Sequence, residues 1–400
     1  MAERFRPASR TEADGIGEVL RAIVGPEHVR MATDADAVAG VIPLVVVEPG
    51  DERQIASVLR CANQAGLAVI PCGSGTKLDC GNPPAKADVI LTTRRLNRVI
   101  EHAWADLTVT VEAGCTIAEL QRTLAQHGQR LAVDPLWPER ATIGGILSTN
   151  DSGALRLAFG ALRDLIIGVT LALADGTIAS SGGRVVKNVA GYDLPKLATG
   201  SLGTLGVITR AVFRLHPLPR NTRTLTIAVK DGSEMQRVVL AILGAPLAPV
   251  AVQVRNENVD ILLEGTLDGI AAQEAAIKAF GVVREGSPEV WKAREELFGN
   301  GLVVKFTTLP ARLSAAAAAF SHFVIQGTGI GYAQIPLVHE GEIEGLRAKL
   351  ERDGGSLMIL GISKLDAWGS PGDALPLMRA VKEQFDPKGT LNPGRFVGGI

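Results

Sequence analysis

Two segments of the chain crowd glycine with small hydroxyl and amide residues. Pro71 to Leu78 reads PCGSGTKL, and Ala141 to Gly153 reads ATIGGILSTNDSG. Glycine lets a backbone come close to a ligand and take positive φ, so successive N–H groups can converge on an anion. Two such loops in one domain suggest a chain wrapped around a long, phosphate-bearing cofactor, which makes a nucleotide-binding oxidoreductase the first candidate. The plainer reading is a pair of turns in a glycine-rich protein, with 45 glycines in 400 residues. Ser74 and Thr76 add hydroxyl donors without bulk. Lys77 either reaches phosphate or snorkels from the surface.

Neither common nucleotide fingerprint fits. A Rossmann G-x-G-x-x-G would need a third glycine where Leu78 stands after Gly73 and Gly75, and the following DCGNPPAK cannot open a helix. A P-loop needs G-x-x-x-x-G-K-[ST], and Lys77 is followed by Leu78. The GTGIG segment from Gly327 lies between strand-like runs and reads as a hairpin.

Composition narrows the class. Apolar residues make up 46% and charged residues 21%, as in a folded chain, and the length implies about two domains. The formal charge is −1, so no basic field draws nucleic acid or an anionic membrane. The four cysteines, Cys61, Cys72, Cys80 and Cys115, lack C-x-x-C spacing, and no metal site is expected. The opening MAERFRPASRTEADG has no apolar core of a signal peptide. The run LIIGVTLALADGTIA is interrupted at Gly168 and Asp175, short of a membrane span. A cytoplasmic protein is expected.

The elements that must position the loops follow from periodicity. PLVVVE reads as a strand, DERQIASVLRCANQAG as a helix ending at Gly66, and LAVIP as a second strand entering the first glycine loop. That order implies a parallel βαβ unit with the loop at a strand's C-terminal end, where α/β folds bind ligands. VILTT and LTVTVEAG read as further strands, and Thr116 caps a helix with Glu119 three residues on. DLIIGVTLALADGTIAS reads as a hairpin turning at Asp175-Gly176. A helix and the strand GVITRAVFRL follow, up to the prolines at 217 and 219. Beyond these, strands at TLTIAVK, APVAVQVR and NVDILLEG mix with helices at AAQEAAIKAFG and ARLSAAAAAFSHFV, an α+β pattern. ALPLMRAVKEQFDP reads as a final helix before TLNPGRF.

Taken in order, PCGSGTKL, VEAG, DP…ATIGGILSTNDSG, FGALRDLIIGV, ATGSLGTLGVIT and the closing FDPKGTLNPGR resemble the FAD-binding domain of the vanillyl-alcohol oxidase/PCMH superfamily. The stretch from Gly182 to Thr209 is similar to the GlcE-type FAD-binding subunit of bacterial glycolate oxidase. The resemblance implies an α+β fold. A PCMH-type FAD-binding domain of two subdomains would span residues 1–218, a small α+β cap domain 219–375, and a segment returning to the FAD domain 376–400. It implies FAD near Pro71, Cys72, Gly73, Ser74, Gly75, Thr76, Lys77, Pro135, Thr142, Ile143, Gly144, Gly145, Thr149, Asn150, Ser152, Gly153, Gly206, Val207, Ile208 and Asn392. The first loop lacks the histidine to which many superfamily members attach flavin, so noncovalent FAD is expected. The implied partners are a related flavin subunit and an iron–sulfur subunit, through which the chain would lie at the inner membrane.

Flavin dehydrogenation of a 2-hydroxy acid needs a carboxylate clamp and a base. Related dehydrogenases carry a H-x-G-D-G-N-x-H type motif in the cap, whereas the nearest segment here, GTGIGYAQI, has neither histidine nor acid. His28, His102, His127, His216, His322 and His339 are scattered, and the last two read as solvated or core residues. Arg294, in WKAREELF, is the one candidate clamp, its fork suiting a bidentate pair, although surface helix pairing explains that segment equally. Three readings stand: a FAD-binding subunit of a glycolate oxidase complex that does not itself oxidise the alcohol, a self-sufficient 2-hydroxy-acid dehydrogenase, and a cofactor-free scaffold. The intact loop glycines speak against the scaffold.

Overall fold

The computed structural model describes residues 10–183, 191–299, 301–336 and 341–400. Part of the GlcE-like stretch, Arg184 to Ala190, and His339 lie outside them. The expected βαβ unit is present. Strands Val45–Val47 and Val69–Cys72 both pair in parallel with Val89–Thr92, and Val29–Met31 adds an antiparallel edge. The connecting helix Glu52–Ala65 starts where the Asp51 carboxylate accepts from the Gln54 N–H and ends at left-handed Gly66. Its Ile55, Val58, Leu59 and Ala62 join the valines of the strands in one core.

A five-stranded antiparallel sheet follows in the order Val99–Ala103, Thr108–Glu112, Val207–Arg214, Ile166–Ala172, Ile178–Gly182. The hairpin turns as expected at Asp175-Gly176, with Gly176 at φ +85° and the Asp175 carboxylate accepting from Thr177 N–H. One expectation is corrected here. Most of the second glycine segment is not a loop but the helix Ile143–Thr149, started by the Thr142 hydroxyl accepting from Gly145 N–H. Ile143, Ile146 and Leu147 bury into the core of the five-stranded sheet, so apolar spacing outweighed the glycine pair.

Beyond the proline pair the described residues build an eight-stranded antiparallel sheet, in the order Val283–Glu285, Asn221–Ala228, Asn258–Gly265, Ala251–Arg255, His322–Gln326, Ile330–Ile335, Leu302–Thr307, Ser356–Leu360. Helices Gly232–Gly244, Leu267–Ile277, Leu313–Ala317 and Ile343–Arg352 share one apolar core with the sheet. The GTGIG segment is the hairpin between two of these strands. A second correction falls nearby. The alanine helix stops at Ala317, and His322–Gln326 is a strand rather than helix, because its β-branched and aromatic residues pair with neighbours on both sides.

After the helix Leu375–Phe385 the chain returns to the first sheet. Leu391 bridges Val69 in parallel, Val69 N–H donates to Thr390 O (2.7 Å), and Asn392 N–H donates to Val69 O (3.0 Å). Buried Asp386 anchors the return by accepting from the N–H groups of Thr390 and Leu391 and from Lys382.

Candidate active site

The first glycine loop leaves the C-terminal end of Val69–Cys72 and lines a narrow cleft of about 70 Å³. Of the residues expected to meet cofactor, Pro71 through Lys77, Thr142, Gly144, Gly145, Thr149, Gly206, Val207, Ile208 and Asn392 all line this cleft. The N–H groups of Ser74, Thr76 and Lys77 donate no hydrogen bond among the described residues. Gly75 sits at φ +84°, and a Cβ at Gly73 would overlap the Thr142 side chain. Both positions therefore require glycine. The cleft can receive an anion on unengaged backbone donors.

Arg395, on the returning C-terminal segment, also lines the cleft, and its sequence context gave no hint of this role beyond its place in FDPKGTLNPGR. It is buried, and donates to the carbonyls of Leu78 and Cys80. Its Nε is buried without a hydrogen-bond partner among the described residues. Burial lowers its pKa to about 10, which leaves it a cation at neutral pH. Beside it Asn392, at φ +46°, donates to Leu202 O. Burial raises the Cys72 thiol to about 11, so it is a weak nucleophile.

The cleft opens into a pocket of about 420 Å³, and Thr76, Lys77, Ser148, Thr149 and Leu202 line both. One wall carries Trp137, Asn150 and Asp151; the other is the eight-stranded sheet. There the register places Lys305 opposite Tyr332 on one neighbouring strand and Met358 on the other, a row on one face of the sheet. The Lys305 ammonium is in no ion pair among the described residues; it lies 5.9 Å from the Tyr332 ring centroid, and its charge helps hold down the pKa of Asp151. None of the histidines lines the pocket or the cleft among the described residues; His322 is exposed on its strand.

Behind the pocket wall lies a buried ionic network. Asp151 receives Lys77 at 3.0 Å, Arg294 at 3.1 Å and the Leu136 N–H at 3.0 Å. Burial works against its charge, but Lys77 and Arg294, with a smaller pull from Lys305, hold its pKa down at about 2. The Arg294 guanidinium also donates to Ser152 O (3.1 Å) and Asp134 O (2.6 Å) and stacks 5.1 Å from Tyr332. Burial opposes its charge too, while Asp151, Tyr332 and Asp134 push its pKa up. Arg294 is thus a clamp between the sheet region and the glycine segment. It does not line the pocket, and its donors point to protein groups rather than to a substrate.

The remaining expected residues lie outside the cleft. Asn150, left-handed at φ +47°, lines the larger pocket. Ile143 is core, Pro135 is buried, Ser152 O accepts from Arg294, and Gly153 N–H donates to Asp134. Lys305, Tyr332, Trp137 and Trp368 were not legible as site residues, because they come from separate elements that only the sheet register brings together.

Comparison with known proteins gives the family and the fold. The family described as FAD binding domain matches residues 43–182, and FAD linked oxidases, C-terminal domain, matches residues 370–396. The D-lactate dehydrogenase of Archaeoglobus fulgidus is 32% identical over 418 residues, covering 88% of this chain and 91% of that protein. The glycolate oxidase subunit GlcD of Bacillus subtilis is 31% identical over 223 residues, 56% of this chain and 47% of its own length. The chain thus spans less than half of that relative. The crystal structure of p-cresol methylhydroxylase with substrate bound superposes with a TM-score of 0.74 over 97% of both chains at 15% identity, a likeness of fold. The chain belongs to the FAD-linked oxidases and carries their PCMH-type FAD-binding fold.

Proposed function

We propose that this chain holds FAD noncovalently and serves a 2-hydroxy-acid oxidation, as a flavin subunit of a glycolate oxidase-type assembly with a related flavin chain and an iron–sulfur chain. One observation carries the reading. A loop whose N–H groups at Ser74, Thr76 and Lys77 are unengaged among the described residues opens into a pocket where, among the same residues, the Lys305 ammonium is in no ion pair. Two relatives are named for glycolate and D-lactate, both 2-hydroxy monocarboxylic acids.

The loop from Gly73 to Lys77, with Arg395 behind it, would hold the pyrophosphate, and Gly206, Val207 and Ile208 the adenine side. Thr142, Gly144, Gly145, Thr149 and Asn392 would border the remainder. Bound flavin supplies the hydride acceptor. Lys305 offers its ammonium to the substrate carboxylate. Trp137, Phe298 and Trp368 give the pocket an apolar lining. The first loop holds Cys72 and Lys77 but no histidine, and Cys72 stays a thiol, which supports noncovalent attachment.

The assembly reading rests on proton transfer. Asp151 lines the pocket but is held near 2 and is a poor base, and no histidine lines it among the described residues. Asp79 is the other lining carboxylate, and in this reading a partner chain would supply the base in its stead. A second reading, a self-sufficient dehydrogenase, is favoured by Lys305, since a free cation suits a chain that meets the acid itself.

The test is purification of the chain alone and with co-expressed partners. Acid precipitation should release flavin into the supernatant. Glycolate or D-lactate, added anaerobically, should bleach the flavin of the assembly but not that of the lone chain. Colour retained in the pellet overturns noncovalent binding, and rapid bleaching of the lone chain selects the second reading.

A further inference from the structure

The character of the pocket wall narrows the acid. We infer that the pocket binds a monocarboxylate with a bulky apolar substituent, a branched aliphatic or phenyl group, in preference to glycolate or to a dicarboxylate. This rests on the reading of the pocket as a 2-hydroxy-acid site, and is independent of which chain takes the proton.

The charges come first. Among the three cations at or behind the wall, Lys77 is paired with Asp151 and Arg294 is engaged by Asp151, Ser152 O and Asp134 O. Lys305 alone is unpaired among the described residues. Lys77 also lines the pocket and its ammonium has no hydrogen-bond partner among the described residues, but the Asp151 carboxylate neutralises it, so the site offers one uncommitted ammonium to one carboxylate. A second carboxylate would meet Asp79, which lines the same pocket, and a Lys77 already held by Asp151, and would lose hydration with no uncommitted cation to replace it.

The apolar surface points the same way. Met358 and Leu360 lie on the same face of the sheet as Lys305, as their register with Lys305 and Val303 shows. Phe298, Trp137 and Trp368 complete the lining around them, and Trp137 and Phe298 hold each other edge to face at 4.8 Å. Glycolate has no side chain to cover this surface. Each methylene of a larger acid gains from leaving water for it.

The experiment uses the FAD-loaded chain, titrated anaerobically with glycolate, lactate, 2-hydroxyisocaproate, 3-phenyllactate and 2-hydroxyglutarate. Occupancy is read by quenching of tryptophan fluorescence, since Trp137 and Trp368 face the pocket, and by perturbation of the flavin spectrum. Phenyllactate and hydroxyisocaproate should bind at least about tenfold tighter than glycolate, and hydroxyglutarate should bind more weakly than hydroxyisocaproate. Leu360→Ala should narrow the gap between phenyllactate and glycolate, and Lys305→Gln should weaken every acid alike. Glycolate binding as tightly as phenyllactate, or hydroxyglutarate binding tightest, overturns the inference and leaves the 2-hydroxy-acid reading intact. Failure of all five acids to bind overturns both.

Discussion

Gly75 shows how much a single backbone angle can decide. Its φ of +84° turns the loop after the parallel strand, and the would-be Cβ meets only Leu78 at 3.5 Å. Space is therefore not the constraint; conformation is. A β-branched residue resists positive φ and stiffens the side chain at χ1. Gly75→Val should cost on the order of 1–3 kcal/mol locally, abolish FAD retention after gel filtration and leave far-UV circular dichroism close to the parent. A variant that keeps FAD at parental affinity would show that the loop does not shape the anion site. Gly73 differs, because a side chain there collides with Thr142, so Gly73→Ala tests packing between the two glycine segments rather than backbone angle.

At the scale of elements, the contact between the short helix Ala293–Glu296 and the glycine segment is ionic and buried. Arg294→Met leaves Asp151 with Lys77 but removes the bonds to Ser152 O and Asp134 O. Breaking one partner of a buried pair costs about 3–5 kcal/mol. A loss near the lower figure is expected in urea unfolding, since Lys77 remains, and a loss below about 0.5 kcal/mol, ordinary for a surface substitution, would show that the clamp is not structural. The same network sets a pH dependence. Burial raises Asp134 from 3.8 to about 6, against the pull of Arg294 and the N–H groups of Leu155, Ala154 and Gly153. Folding therefore takes up a proton in that window. The stability Asp134 contributes is present below the unfolded value and is lost as pH rises through about 6. Asp151, held down at about 2, acts oppositely: its contribution is present above 3.8 and lost as pH falls toward 2. Asp134→Asn should remove a decline on the order of 1–3 kcal/mol between about pH 4 and about pH 6; parallel pH profiles for parent and variant would rule the assignment out. Such networks also mark where sequence reading stops. The βαβ unit, the Gly66 stop and the Asp175-Gly176 hairpin were legible because propensity and turn chemistry are local. The row Lys305–Tyr332–Met358 was not, because it exists only through the pairing of Leu302–Thr307 with two strands distant in sequence. Arg294 looked like a clamp for a substrate carboxylate, and the chain's own Asp151 is the carboxylate it holds.

The whole molecule closes on itself at the cofactor cleft. The loop from Gly73 to Lys77 lies near the start of the first sheet, while Asn392 and Arg395 arrive from the far end of the chain, after the entire eight-stranded sheet has been traversed. Arg395 bonds the carbonyls of Leu78 and Cys80, and its own carbonyl accepts from Asn82 N–H (3.0 Å) and Trp368 Nε1 (2.9 Å). One residue thus ties the anion loop to the returning segment and, through Trp368, to the wall of the larger pocket. Its buried Nε has no partner among the described residues, and a cation in such a place is costly unless an anion joins it. A diphosphate in the cleft would be that anion. Arg395→Met keeps the length and the apolar body of the side chain while removing the charge and the two carbonyl bonds. Hydrogen bonds to a charged group contribute about 1.5–3 kcal/mol each, so FAD affinity should fall on the order of 10- to 100-fold, measured by fluorescence recovery as flavin dissociates. The apo forms should differ less, because the parent apo protein buries the charge without its anion. Equal FAD affinity in the two proteins would sink the assignment of Arg395 to the pyrophosphate, and an apo variant that fails to fold would show instead that its bonds to Leu78 and Cys80 outweigh any role toward the cofactor.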